Sequence, residues 1–245
     1  MALAPSYGRS SASVCSSSVC MASSSDKRKS GAFLGRSVSA HKSLSGAQSS
    51  VTKKLCATGS DTPGPRLKKA QREGRLIVFI DETGISERPT RVRTWAPKGQ
   101  TPVIQFHFNW NHVSAIAGLS RTNYLFRLYE GSVKKEQVVE FLKALKAHLK
   151  QPLLIIWDGA RPHHAAIVRQ YLDSLDGYIQ ITFLPPYCPE LNPVEYLWAW
   201  LKRHAIANFC PDNLGELHTV ARNRLKSAQH RPSIIAACWI QATLW

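Results

Sequence analysis

PLLIIWDG (152–159) decides the fold. Leu153–Trp157 is an unbroken apolar run, opened by a proline and closed by Asp158 and Gly159. A run this short, bounded by turn signals, reads as a buried strand, and it leaves a carboxylate at the strand's carboxyl end. Just upstream, Val138, Phe141, Leu142, Leu145 and Leu149 recur at three and four residues, the spacing of an amphipathic helix that Pro152 closes. Just downstream, a helix through Ala165–Leu175 and a strand Ile179–Phe183 complete a strand–helix–strand unit.

The same signature occurs earlier. Arg75–Ile80 is apolar after its first residue and runs into Asp81. Between them, Val92–Ala96, Thr101–Phe108, Val113–Leu119 and Tyr124–Tyr129 alternate or cluster β-forming residues around turn signals such as Pro97-Lys98-Gly99, and predict an antiparallel meander. Prolines 185, 186, 189 and 193 force an extended loop before a helix near Val194, and two further helices are predicted over Leu214–Ala228 and Ser233–Leu244. Strands first, then strand–helix–strand, then helices make an α/β sheet with helices on its faces.

The 245 residues carry 32 Lys+Arg against 16 Asp+Glu, a net charge of +16. That excess disfavours cationic substrates and favours phosphate, most often nucleic acid. No run approaches the roughly 18 to 20 apolar residues of a membrane span. The six cysteines show no zinc-type spacing, and three of them lie in the first 60 residues, so reduced thiols are expected. Those 60 residues hold 18 serines, eight basic residues and one acid, Asp26, with no helical or strand period. Residues 1–65 are expected to be a disordered, Ser-rich basic segment, because such a composition buries too little apolar surface to offset ordering. The composition also suits an organellar transit peptide, or an upstream stretch with no selected function. Residues 66–245 form the expected folded domain.

Three carboxylates stand apart. Asp81 and Asp158 are each expected to end an apolar strand, where ligand sites of open α/β sheets gather. Glu195 lies in the first turn of a helix, two residues after Pro193, a position that also stabilises the helix dipole. Converging carboxylates repel one another unless cations sit between them, and hard oxygen ligands suit Mg²⁺ or Mn²⁺. Two such ions about 3.5–4 Å apart can clamp the attacking and leaving oxygens of a phosphodiester.

FIDETG (79–84), VRTWAPKGQTP (92–102), IIWDGARPHHA (155–165) and LPPYCPELNPVEYLWAWLK (184–202) resemble the catalytic domain of bacterial insertion-sequence transposases of the mariner-like branch of the DDE superfamily. The resemblance covers residues 66–245. It implies a ribonuclease-H-like mixed sheet with helices on both faces, and metal-dependent DNA cleavage and strand transfer with two Mg²⁺. Residue by residue, it assigns the catalytic, metal-binding triad to Asp81, Asp158 and Glu195, with 36 residues between the last two. It casts Asn192 as the residue that buttresses the Glu195 loop. His163 falls in the family's Asp-Gly-x-x-x-His pattern, either near the metals and scissile phosphate or orienting the loop.

Lys202 and Arg203 are candidate DNA contacts, against the alternative of a solvated helix end. Trp198, Leu201 and Ala205 share a helix face and read as core. Glu82 is expected to face away from Asp81. The paired helix-turn-helix domains of full-length relatives are not legible before Arg66, so end recognition is expected from another polypeptide or the frame is truncated. DNA is the expected partner, with a homo-oligomer assembled on it and no membrane. The setting is intracellular, at the nucleoid if bacterial. A DNA-binding remnant unable to cut, or a ribonuclease-H-type nuclease, stays open as the other reading.

Overall fold

The computed structural model describes residues 63–106, 109–185 and 188–242. The expectation of disorder over 1–65 falls outside these residues except at its end, where helix α1 (Pro63–Arg72) begins. Strands β1 (Leu76–Ser86), β2 (His112–Leu119), β3 (Tyr124–Glu130), β4 (Leu153–Trp157) and β5 (Ile179–Phe183) form one sheet in the order β3-β2-β1-β4-β5. The first three are antiparallel neighbours, whereas β4 and β5 run parallel to β1. The helices are α2 (Lys135–Leu149), α3 (Ala166–Asp173), α4 (Pro193–Trp200), α5 (Leu214–Gln229) and α6 (Pro232–Ala242). This is the ribonuclease-H-like plan, a mixed sheet covered on both faces.

Alternation along β1 sorts the two cores. Val78 and Ile80 join Ile155 and Trp157 of β4 beneath α2 and α3, through Val138, Phe141, Leu142, Leu145 and Val168. Phe79 and Ile85 join Ile156 beneath α4, α5 and α6, through Val194, Leu197, Trp198, Leu217, Ala221, Leu225 and Trp239. Helix α2 can lie close to the sheet because position 118 is glycine: a Cβ there would stand 3.1 Å from Val78 Cγ1 and 3.2 Å from Leu145 Cδ2. The helix stops at Lys150, which takes the left-handed φ of 51°, and Pro152 follows two residues on. On the opposite face the Trp239 ring meets Phe79 edge-on at 5.3 Å, and its Nε1–H donates to Ser120 O at 2.9 Å.

Two expectations are corrected. Strand β1 does not end at Ile80 but runs on to Ser86, so Asp81 lies within it rather than at its end. The extension is paired throughout, from Phe79 opposite Leu119 to Ser86 opposite His112. Because all of β2 pairs directly with Phe79–Ser86 of β1, Val92–Ala96 and residues 101–106 have no sheet partner and form no strands. Phe108, the expected end of the second of these, lies outside the described residues. Among the described residues of this connection, Trp95 is fully accessible and Val103 and Trp110 are 82% and 80% exposed. Its base is tied down by Asn208, whose Oδ1 accepts from Val92 N at 2.8 Å and whose Nδ2 donates to Val92 O at 2.9 Å.

Among the described residues, Cys210 and Cys238 are free thiols, and no helix is long and apolar enough to cross a membrane.

Candidate active site

Parallel pairing sets the first two carboxylates. Leu76 to Phe79 of β1 lie opposite Leu153 to Ile156 of β4, and the same register carried two residues further brings Asp158 level with Asp81. Glu195 arrives from the sequence Asn-Pro-Val-Glu, which builds its own helix start. Pro193 occupies the first helical position, where a missing N–H costs nothing. Asn192 is the cap, its Oδ1 accepting from Val194 N at 3.1 Å, while its Nδ2 donates to Ile80 O at 3.3 Å. This buried side chain therefore pins the start of α4 to the residue before Asp81. All three carboxylates line one cleft of about 430 Å³, together with Asn192, Leu184 and Cys188. Among the described residues, no three His, Cys, Asp or Glu side chains close on a single point as a preformed metal cage does.

Each carboxylate has a different environment. Asp81 is 7% exposed, and its Oδ2 accepts from Trp198 Nε1 at 2.8 Å. Burial, then the charge of Glu195, then that of Asp158 push its pKa up to about 8, against hydrogen bonds from the Glu82 backbone and from Trp198. Burial also raises Glu195, with Lys202 opposing and Asp158 adding to the rise. Asp158 goes the other way: its bond from His163 holds it below the usual carboxylate range, against its desolvation. The three groups feel one another's charge, as groups sharing a site must.

Lys202 is no solvated helix end. Helix α4 continues into a π-helical turn, Leu201–Ala205. From it the half-buried Lys202 Nζ donates to Thr83 Oγ1 at 2.6 Å, on the same face of β1 as Asp81. Burial lowers the lysine's pKa, while Glu195 and Asp81 act to raise it. Arg203, by contrast, is exposed and lies away from the carboxylates, beside Tyr196 and Trp200.

His163 sits on the other side of the strands. It belongs to a 3₁₀ turn, Arg161–His164, that folds back over the end of β4, and its ring stacks on Trp157 at 3.7 Å. Nδ1 donates to Asp158 Oδ1 at 2.8 Å and to Asp158 O at 3.2 Å; Nε2 donates to Glu82 Oε1 at 3.0 Å. Burial works against its charge, but the bonds to Asp158 and Glu82 outweigh it and hold the pKa near 9, so the ring is an imidazolium at neutral pH. Trp198 belongs to the core, as its helical spacing predicts, but its indole N–H also serves Asp81. Glu82 faces away from Asp81, as extended chain requires, and there meets His163, which the sequence does not signal. Both contacts join residues far apart in the chain, which no local periodicity reports.

Residues 76–218 match the family model described as DDE superfamily endonuclease. No curated protein matches the chain. Among solved structures it is similar to a Mos1 transposase paired-end complex with the left transposon end, at 19% identity and a TM-score of 0.57, covering 87% of this chain and 62% of that one. A Mos1 mariner paired-end complex with Mn matches at 19% identity and TM-score 0.58, over 88% of this chain and 63% of that one. The Mos1 strand transfer complex matches at 18% identity and TM-score 0.58, over 89% and 63%. The chain thus spans a little under two thirds of the length of these relatives, and at such identities the likeness shows the fold.

Proposed function

Because the chain belongs to the family of DDE superfamily endonucleases, we propose that it supplies the catalytic domain of a DNA transposase, with residues 66–245 cleaving DNA strands and joining them to mobilise an insertion sequence. The observation that carries this reading is the single cleft lined by Asp81, Asp158 and Glu195. An oxygen-only donor set fits a hard divalent cation. The mutual repulsion that helps lift Asp81 to about 8 is what a cation would relieve. Two Mg²⁺ ions there, with Mn²⁺ as substitute, would supply Lewis-acid activation of the attacking oxygen and stabilise the departing 3′ oxygen.

The chain's own residues do the rest. Asp81, Asp158 and Glu195 would hold the ions. Trp198 keeps one oxygen of Asp81 engaged. Asn192 ties the Glu195 helix to β1, and Lys202 sets a positive charge that both Asp81 and Glu195 feel. The basic surface holds the phosphate backbone without reading bases, with Arg203 among its contacts. Paired Mos1 complexes on transposon ends support a homo-oligomer on DNA, with end recognition supplied by helix-turn-helix domains. The direct test is nicking of supercoiled plasmid by the chain in Mg²⁺. Nicking lost in chelator and in Asp158→Ala is the expected result; nicking that survives Asp158→Ala would overturn the assignment.

A further inference from the structure

Consecutive residues of β1 serve opposite faces of the sheet. Asp81 points to α4 and receives the Trp198 N–H, whereas Glu82 points to the side of α2 and α3 and receives His163 Nε2 at 3.0 Å. His163 is almost wholly enclosed, with 2% of its side chain accessible. It has three fixed points: the Trp157 ring beneath it, Glu82 at one nitrogen and Asp158 at the other.

Asp158 needs such a hold. It lies just past the end of β4, in a stretch without regular structure. Its side chain is 52% exposed, and among the described residues its Oδ1 meets, besides His163, the Ala160 N–H at 3.3 Å. A half-exposed aspartate on a loop would otherwise sample several rotamers. Stacking alone does not distinguish the two χ2 orientations of an imidazole, related by a half-turn that exchanges Nδ1 with Cδ2. The bond at Nε2, together with that from Nδ1 to Asp158 O, selects the orientation that aims Nδ1 at the Asp158 carboxylate.

We propose that Glu82 is a positioning residue for the active site, acting through His163 to fix the carboxylate of Asp158 toward the cleft. The inference rests on the metal-dependent reading above and deepens it. Glu82 does not line the cleft; its role is to orient a group that orients a ligand, as the outer partners of metal sites do.

The test compares Glu82→Ala, Glu82→Gln and Glu82→Asp in the full chain. Glutamine keeps an acceptor oxygen at the same reach and removes the charge; aspartate keeps the charge but withdraws it by one carbon–carbon bond, about 1.5 Å. If the bond to Nε2 is what matters, Mn²⁺ affinity measured by titration calorimetry falls roughly 10- to 100-fold in the alanine and aspartate variants. The glutamine variant then stays within about threefold of the parent. The reverse order, aspartate intact and glutamine impaired, would show a diffuse charge effect and overturn the proposal. His163→Ala should match Glu82→Ala, and the double variant should lose no more than either alone; additive losses would also overturn it.

A second readout needs no metal. Amide exchange across 158–164 should quicken in Glu82→Ala while β1 and β4 keep their protection. Quickened exchange in a chain whose parent binds no Mn²⁺ would sink the metal-dependent reading and leave the tether standing. A parent that binds Mn²⁺, with exchange and affinity both unmoved in Glu82→Ala, would sink the tether alone.

Discussion

Replacing Asp81 with asparagine should make the metal-free protein more stable, and increasingly so as the pH rises. Asp81 carries its charge where burial, Glu195 and Asp158 all disfavour it, so its folded-state pKa stands at about 8 against an ordinary 3.8. A carboxylate raised in this way binds its proton more tightly folded than unfolded. Between pH 4 and pH 8 the unfolded chain therefore holds fewer protons, and stability falls as pH rises through that window. At about 1.4 kcal/mol for each tenfold change in proton affinity, the full loss above pH 8 is on the order of 5 kcal/mol. Asparagine keeps a carbonyl that can accept the Trp198 N–H and never ionises. Urea unfolding in chelator, parent against Asp81→Asn, is the assay. With a slope of about 2 kcal/mol per molar urea, the variant's midpoint should lie roughly 2.5 M above the parent's at pH 8.5, and the two should nearly coincide at pH 4. Because His163 and Asp158 titrate in both proteins, only the gap between them counts. A gap that does not change with pH, or an asparagine variant less stable at pH 8.5, would refute the reasoning.

Asp158→Asn should abolish Mg²⁺-dependent strand cleavage while its circular dichroism spectrum matches the parent's, since the change keeps shape and removes a ligand charge. Asn192→Ala removes the α4 cap and the bond to Ile80 O; a loss of roughly 1–3 kcal/mol in thermal or urea unfolding is expected, with cleavage falling further as Glu195 loses its aim. The chain should bind duplex DNA without sequence preference, at roughly 10⁻⁴ to 10⁻⁶ M near physiological salt and with a log–log salt slope near −0.9 per phosphate neutralised. Titrating a transposon-end oligonucleotide against a scrambled one checks it, and a preference of tenfold or more, about 1.4 kcal/mol, that persists at high salt would contradict it.

What was legible in the sequence was whatever local pattern controls. The run 153–157 can only be a buried strand, and Asn192-Pro193 can hardly avoid starting a helix, so the placement of Asp158 and Glu195 follows from a few residues each. The end of β1 was not legible. Asp81, Glu82, Thr83 and Gly84 look like a turn, and only pairing with His112–Leu119 keeps them extended. The excursion over 87–111 misled for the opposite reason. Val92, Trp95 and Val103 have strand-like side chains, but a strand needs a neighbour, and β1 and β2 had already taken each other. Lys202 suggests a DNA contact or a solvated helix end from its own segment, which gives no sign that Thr83 stands beneath it.

The register of β1 against β4 has a consequence for when the protein becomes competent. Phe79 meets Ile156, 77 positions along the chain, and Glu195 joins from later still. The antiparallel unit of β1 to β3 can close early from nearby segments, but it contains only one member of the carboxylate set. Parallel pairing across such a span demands a large loop closure, which is slow. A chain in which β1 has not yet paired with β4 would therefore hold these three carboxylates apart, and the cleft they line would form only once that long closure is made.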